Sequence, residues 1–267
     1  MIALAHAFGL SAEPFLQDLP IDKLFPLPGL QPFLQRFDYA LQIGSATLIT
    51  GEVGSGKSTS LRAAASRLHP SQYTVLAIVA TSGSVLELLR QICDALGVPQ
   101  STGSLARLTA TIRDLLANIT SKKQRPLLIV DEAHLLRLEV FAQLHALTQL
   151  PYDQKSLMPL VLSGQNILVD RLLYHTSQPF ASRVVGRTVL SPLKREDMHN
   201  YLLHHLAIVG GSADLLSEEA VTAVHQSSGG LLRRANSLAR CAMLAAATEN
   251  APVVSAEHVR IASTEIL

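Results

Sequence analysis

The chain has 267 residues, 48% of them hydrophobic and 16% charged, with a formal net charge of +1. That composition excludes a disordered chain, and the near-neutral balance excludes a global basic field, so any contact with a polyanion has to be local. Aromatic residues make up only 4% and tryptophan is absent, which leaves an aliphatic core. Cys93 and Cys241 sit in apolar helical patterns and match no metal or disulfide spacing; they read as buried thiols in a reducing compartment. No apolar stretch has membrane-span length, since the longest candidate, 238–247, is short and contains Arg240. No signal peptide is visible at the start. The expectation is a cytoplasmic protein with no membrane partner.

Residues 1–29 alternate phenylalanines with prolines and glycines (Phe8-Gly9-Leu10, Pro14-Phe15, Leu24-Phe25-Pro26), which predicts an irregular arm. It is either a packed arm or one that also covers the adenine of a nucleotide near which it packs. Apolar residues at helical spacing over 30–43 predict a helix that delivers the chain into a first strand at 46–50. A second strand is expected at 73–80, as a run covered on both faces. Helices are expected over 84–96 and 105–119, divided by Gly97-Val98-Pro99 and a Ser/Thr/Gly linker. A third strand follows at 126–130, a helix at 135–150, a fourth strand at 157–163, a short helix at 166–173 and a fifth strand at 188–190. Beyond Ser191-Pro192 only helical patterns remain: 194–208, 217–226, 231–248 and 255–264. The alternation predicts an α/β core with a five-stranded parallel sheet sandwiched by helices. The expected organisation is an arm (1–29), an α/β core (30–190) and a small helical lid (191–267).

Two stretches carry the chemistry. Gly51-Glu52-Val53-Gly54-Ser55-Gly56-Lys57-Ser58, followed by Thr59, fits G-x-x-x-x-G-K-[ST] between a strand and a helix. Glycines let successive backbone N–H groups face a phosphate, and the helix start adds its positive dipole end. Lys57 is expected on the β- and γ-phosphates and the Ser58 hydroxyl on Mg²⁺. The third strand ends in Asp131-Glu132, at the strand end where open α/β sheets bind ligands. Asp131 is expected to hold Mg²⁺, and Glu132 to act as base toward the attacking water. His134, which completes Asp-Glu-Ala-His, reads as a helix-start polar residue more readily than as a catalyst.

Weaker signals surround these. At the end of the fourth strand Ser163, Gln165 and Asn166 could each touch the γ-phosphate or its water, with Gln165 favoured. Arg183 and Arg187 precede and enter the fifth strand; Arg183 is the candidate to reach a neighbouring subunit's γ-phosphate. The competing reading, a surface arginine paired with a carboxylate, fits Arg187 better than Arg183. Gly229-Gly230-Leu231-Leu232-Arg233-Arg234 opens a helix in the lid and makes Arg233 a candidate phosphate sensor.

Together these motifs resemble the AAA+ P-loop ATPases over nearly the whole chain, with Gly51–Ser58 as Walker A, Asp131-Glu132 as Walker B, Ser163–Asn166 as the sensor 1 region, Arg183 as arginine finger and Arg233 as sensor 2. The arm, Asp131-Glu132-Ala133-His134-Leu135-Leu136, Ser163-Gly164-Gln165 and Gly229-Gly230-Leu231 are similar to the ExeA-like branch. That branch includes the type II secretion assembly ATPase and the TnsC/TniB-type partners of DDE transposases. Leu232 departs from the proline common before the sensor 2 arginine. The resemblance implies ATP and Mg²⁺ as cofactors, ATP hydrolysis, and a homo-oligomer in the form of a ring or helical filament. Secretion members usually continue into a membrane span and a cell-wall module; on that ground the expected function is a regulator of DNA transposition. It would oligomerise on duplex DNA and recruit and activate a DDE transposase, with a target-selection adaptor as a further partner. The alternative is a cytoplasmic secretion-assembly ATPase with no DNA role. Candidate DNA contacts are the small donors Thr81 and Ser82 and the basic pair Lys122 and Lys123.

Overall fold

The computed structural model describes residues 4–98, 103–148 and 158–266. Its backbone separates into two compact units, one made of residues 29–51 and 57–190, the other of 1–28, 52–56 and 191–267.

The first unit is built on five strands, counted among the described residues: β1 (Ala46–Gly51), β2 (Tyr73–Val79), β3 (Arg125–Asp131), β4 (Leu160–Gly164) and β5 (Val184–Leu190). All pair in parallel, in the order β2-β3-β4-β1-β5. Alternation along each strand explains the unbroken apolar runs. Leu128 and Val130 of β3, Leu160 and Leu162 of β4 and Leu48 of β1 enter one cluster with helices α4 (Val85–Ala95), α5 (Leu105–Ser121) and α6 (Leu138–Thr148). Leu127, Ile129, Val161 and Ile49 point the other way, into a cluster with α2 (Leu30–Ile43) and α3 (Lys57–Ser66). The aromatic content is spent where it packs best: Phe33 and Phe37 of α2 are fully buried, as are Phe141 of α6 and Phe180 of the short helix α8 (Gln178–Ala181).

Several elements depart from the sequence reading, each for a physical reason. β2 is an edge strand, so Ala77 and Val79 face solvent and the expected cover on both faces is missing from its last turn of pleat. β5 starts four residues earlier than expected, at Val184, because Gly186 weakens the strand signal there; its missing side chain makes room for Arg36. The helix expected from 135 is a 3-10 turn at Ala133–Leu135 followed by α6 from Leu138, and β4 begins at Leu160. Residues 99–102, 149–150 and 157, which held parts of the expected linker, helix and strand, lie outside the described residues. Cys93 is buried as expected, but Cys241 is only half-buried.

The second unit combines the arm with helices α9 (Arg195–Ile208), α10 (Glu218–Ser228), α11 (Leu232–Thr248) and α12 (Ala256–Glu265). Ser217 caps α10 by accepting from the Ala220 N–H, and Ser255 with His258 forms a capping box at α12. The arm holds a short helix, α1 (Leu4–Ala7), and packs on α9. Phe15 stacks on His205 with ring centroids 5.6 Å apart, Phe25 meets Tyr201 edge-on, and the Ser11 N–H donates to the Val209 carbonyl. Tyr201 donates its hydroxyl to Asn236 Oδ1 of α11, and burial pushes its pKa up to about 12.

Burial, with a smaller contribution from the neighbouring His204, lowers the His205 pKa to about 4. The folded protein therefore keeps His205 neutral where the unfolded chain takes up a proton. The stability this neutral form contributes is complete above about pH 6.5 and is lost as pH falls from there toward 4, by roughly 2–3 kcal/mol. Unfolding followed at pH 7.0, 5.5 and 4.5 should show this decline. His205→Gln, which cannot titrate, should flatten it.

A candidate nucleotide site at the strand ends

β1 ends at Gly51, residues 52–56 form the turn and Lys57 opens α3. The turn needs its glycines: Gly54 has φ +83° and Gly56 φ +96°, backbone conformations that a side chain rarely adopts. Space is short as well. A Cβ on Gly54 would come within 2.8 Å of Arg233 Cβ, and one on Gly56 within 2.7 Å of the Leu27 methyl of the arm. The loop thus lies between arm and α11, all within the second unit. The Arg233 N–H donates to the Gly54 carbonyl at 3.3 Å, so a loop carbonyl caps one of the unpaired N–H groups at the start of α11.

In the first unit the charged groups converge at the C-terminal edge of the sheet. Lys57 is 95% buried, with 5% of its surface exposed, and its Nζ donates to the Gly51 carbonyl at 3.1 Å. Asp131 ends β3. Its Oδ2 accepts from Ser58 Oγ at 2.7 Å, and its Oδ1 accepts from Ser163 Oγ at 2.7 Å and from the Glu132 N–H at 2.9 Å. Glu132 itself is left-handed, with φ +53°. Such a backbone costs about 1–3 kcal/mol for a residue with a side chain and persists only where the surroundings impose it.

These residues fit a nucleotide and its metal. A buried ammonium at the start of α3 and, in the second unit, a turn of positive-φ glycines are each donor types that a phosphate takes, and Ser55 Oγ within that turn is buried with no hydrogen-bond partner among the described residues. A hydroxyl already touching a carboxylate oxygen is the pair that shares a hard cation such as Mg²⁺. Ser58 and Asp131 would hold Mg²⁺, which would supply positive charge toward the phosphates; Lys57 could bind phosphate oxygens and Glu132 could orient and deprotonate water.

Of the three sensor 1 candidates, Ser163 has its side chain on Asp131; the Gln165 N–H points instead to His134 Nδ1 at 3.4 Å, and Asn166 begins α7 (Ile167–Leu173) without a side-chain cap. Arg183 sits at the opposite edge. It precedes β5, and its carbonyl accepts from the Ala46 N–H at the start of β1. β1 and β5 run in parallel from there to Gly51 and Leu190, so roughly 20 Å of strand separates Arg183 from its own phosphate loop. Arg187 donates to Thr50 Oγ1 at 3.4 Å, a hydroxyl in place of the expected carboxylate.

The candidate DNA contacts are likewise divided. Thr81 and Ser82 follow the C-terminal end of β2, whereas Lys122 and Lys123 precede the N-terminal end of its parallel neighbour β3. One subunit does not bring them together. Arg137, which the sequence reading passed over inside an apolar pattern, donates to the Ser82 carbonyl at 3.2 Å and puts a cation beside that turn.

A family model described as "AAA domain" matches residues 43–172. That stretch is just under half of the chain. The donors gathered at the strand ends suit ATP and Mg²⁺. The fold is the AAA+ P-loop fold: Cdc6p from Pyrobaculum aerophilum superposes with a TM-score of 0.74 at 18% identity, over 95% of this chain and 70% of that one. The ORC1 protein of Aeropyrum pernix, solved in complex with DNA, gives 0.69 at 20% identity, over 94% and 68%. General secretion pathway protein A of Aeromonas hydrophila is 32% identical over 262 residues, which is 97% of this chain and 48% of that protein. The chain thus spans about half the length of this relative. No helix among the described residues is long and apolar enough to cross a membrane.

Gly54→Ala adds a strained φ and a collision with Arg233. Unfolding should lose about 1–3 kcal/mol, and ATP affinity should fall with it. The same change at Gly97, a positive-φ glycine with open space around it, should leave ATP affinity unchanged. Equilibrium unfolding and nucleotide titration check both.

Proposed function

We propose that this AAA+ ATPase drives an assembly step of a secretion machinery, as a homo-oligomer whose hydrolytic sites are completed between copies. The placement of Arg183 carries the oligomeric part. An arginine some 20 Å of strand away from its own phosphate loop has no role in its own site, but from that edge it can serve the site of a neighbour. The secretion part rests on likeness: a relative named for general secretion shares 32% identity across nearly all of this chain. In each site Lys57 holds phosphate, Ser58 and Asp131 hold Mg²⁺, and Glu132 is the base. Through its N–H on Gly54, Arg233 reads the loop that holds the phosphates. The proposed location is the cytoplasm.

The second reading is a regulator of transposition that assembles on duplex DNA and engages a DDE transposase. The Thr81–Ser82 turn with Arg137 beside it favours this reading, as does the fold shared with a protein solved on DNA.

Glu132→Gln should reduce hydrolysis by about 10²-fold or more while ATP binding persists. Arg183→Ala should lose about 10³-fold, and mixing it with a Lys57→Ala chain should restore part of the activity, because each supplies what the other lacks. Failure of the mixture to recover any activity would put Arg183 outside the neighbour's site. Duplex DNA titrated at low salt with ATP and with ADP separates the two readings. ATP-dependent binding selects the transposition regulator. Loss of exported proteins from the medium of a host carrying Lys57→Ala, without DNA binding, selects secretion.

A further inference from the structure

A buried imidazole lies beside Glu132. His134 lies two residues on, in the 3-10 turn after β3, and is buried with 8% of its surface exposed. Its Nδ1 lies 3.2 Å from Glu132 Oε2. The same nitrogen lies 3.4 Å from the Gln165 N–H at the end of β4. Gly164 permits this approach: a Cβ there would stand 3.3 Å from Nδ1 and 3.1 Å from the His134 backbone nitrogen. The turn that carries the imidazole is anchored from α7, where Arg171 Nη1 donates to the Leu136 carbonyl at 2.7 Å.

A single ring nitrogen presents either a proton or a lone pair. In the tautomer with the proton on Nδ1, His134 presents a donor 3.2 Å from Glu132 Oε2 that can hold the carboxylate when it turns to accept. In the other tautomer it accepts from the Gln165 N–H and gives Glu132 no hydrogen bond. The two contacts exclude each other, so only one of them is made at a time. We propose that His134 is the positioning residue of the Glu132 base, and that its Nδ1 links the end of β4 to that base. A displacement of Gly164–Gln165 then changes whether Glu132 is held. This role rests on Glu132 acting as the base.

The test is steady-state ATP hydrolysis by the full chain with three substitutions. His134→Ala should lower kcat by roughly tenfold or more, with KM for ATP and the nucleotide Kd within about twofold of the parent. Asparagine places an amide donor near the position of Nδ1, whereas glutamine reaches to that of Nε2. His134→Asn should therefore recover most of the rate and His134→Gln should not. In a Glu132→Gln background, His134→Ala should cause no further loss, since both act through one carboxylate. Gly164→Ala presses a methyl group against the imidazole from the strand side and should lower kcat with ATP binding intact. Equal rates for the Asn and Gln variants, a loss that appears in KM, or additivity with Glu132→Gln would overturn the proposal. Should His134→Ala fail to fold, the comparison of Asn with Gln decides alone. Full activity of Glu132→Gln by itself would instead remove Glu132 as base, a separate outcome from any behaviour of His134.

Discussion

The site depends on one carboxylate. Asp131 accepts from the first turn of α3 through Ser58, from the end of β4 through Ser163, and from the backbone of the residue that follows it. A buried or half-buried carboxylate needs such donors to remain charged away from water. By taking them from three different elements, Asp131 fixes where the helix start, the neighbouring strand end and Glu132 lie. The parallel sheet makes this possible, because β1, β3 and β4 all deliver their C-terminal ends to one edge. Chemistry at that edge is a consequence of topology, and the apolar clusters on both faces keep the edge rigid.

The phosphate loop has a second set of constraints. Its glycines adopt conformations that favour N–H groups facing a phosphate, yet their lack of Cβ is equally required by Leu27 of the arm and Arg233 of α11. The same backbone thus serves binding and docking. This couples the loop to the lid helix through main-chain atoms, so the departure at Leu232 from the usual proline leaves the contact of Arg233 with Gly54 in place. The arm likewise packs on α9 through Phe15 and Phe25 and also reaches the loop through Leu27.

Arg183 lies away from the carboxylates and lysine of its own copy. Arg183 stands at the strand starts, whereas Asp131, Glu132 and Lys57 stand at or next to the strand ends, and a parallel strand of seven residues cannot be folded back to join them. The same geometry parts Thr81–Ser82 from Lys122–Lys123. The proposed assembly is what would bring the two edges together.

The sequence by itself determined the glycine loop, the carboxylate pair, the parallel α/β alternation and the succession of lid helices. All of these are local: spacing within eight residues, or periodicity of 2 or 3.6, records them directly. Even so, Gly186 concealed the first half of β5, and the edge position of β2 was not written in its run of apolar residues. Only the tertiary structure decided that Ser163 is the sensor-region residue on Asp131, that Arg137 joins the Ser82 turn, and that His134 meets both Glu132 and Gln165. Each of those contacts joins side chains from different strands, helices or turns, and depends on the register of strands far apart in the chain. A histidine two residues after Asp131-Glu132 looks the same in sequence whether it faces solvent or the Glu132 carboxylate; burial beneath the end of β4 is what sets it beside both neighbours.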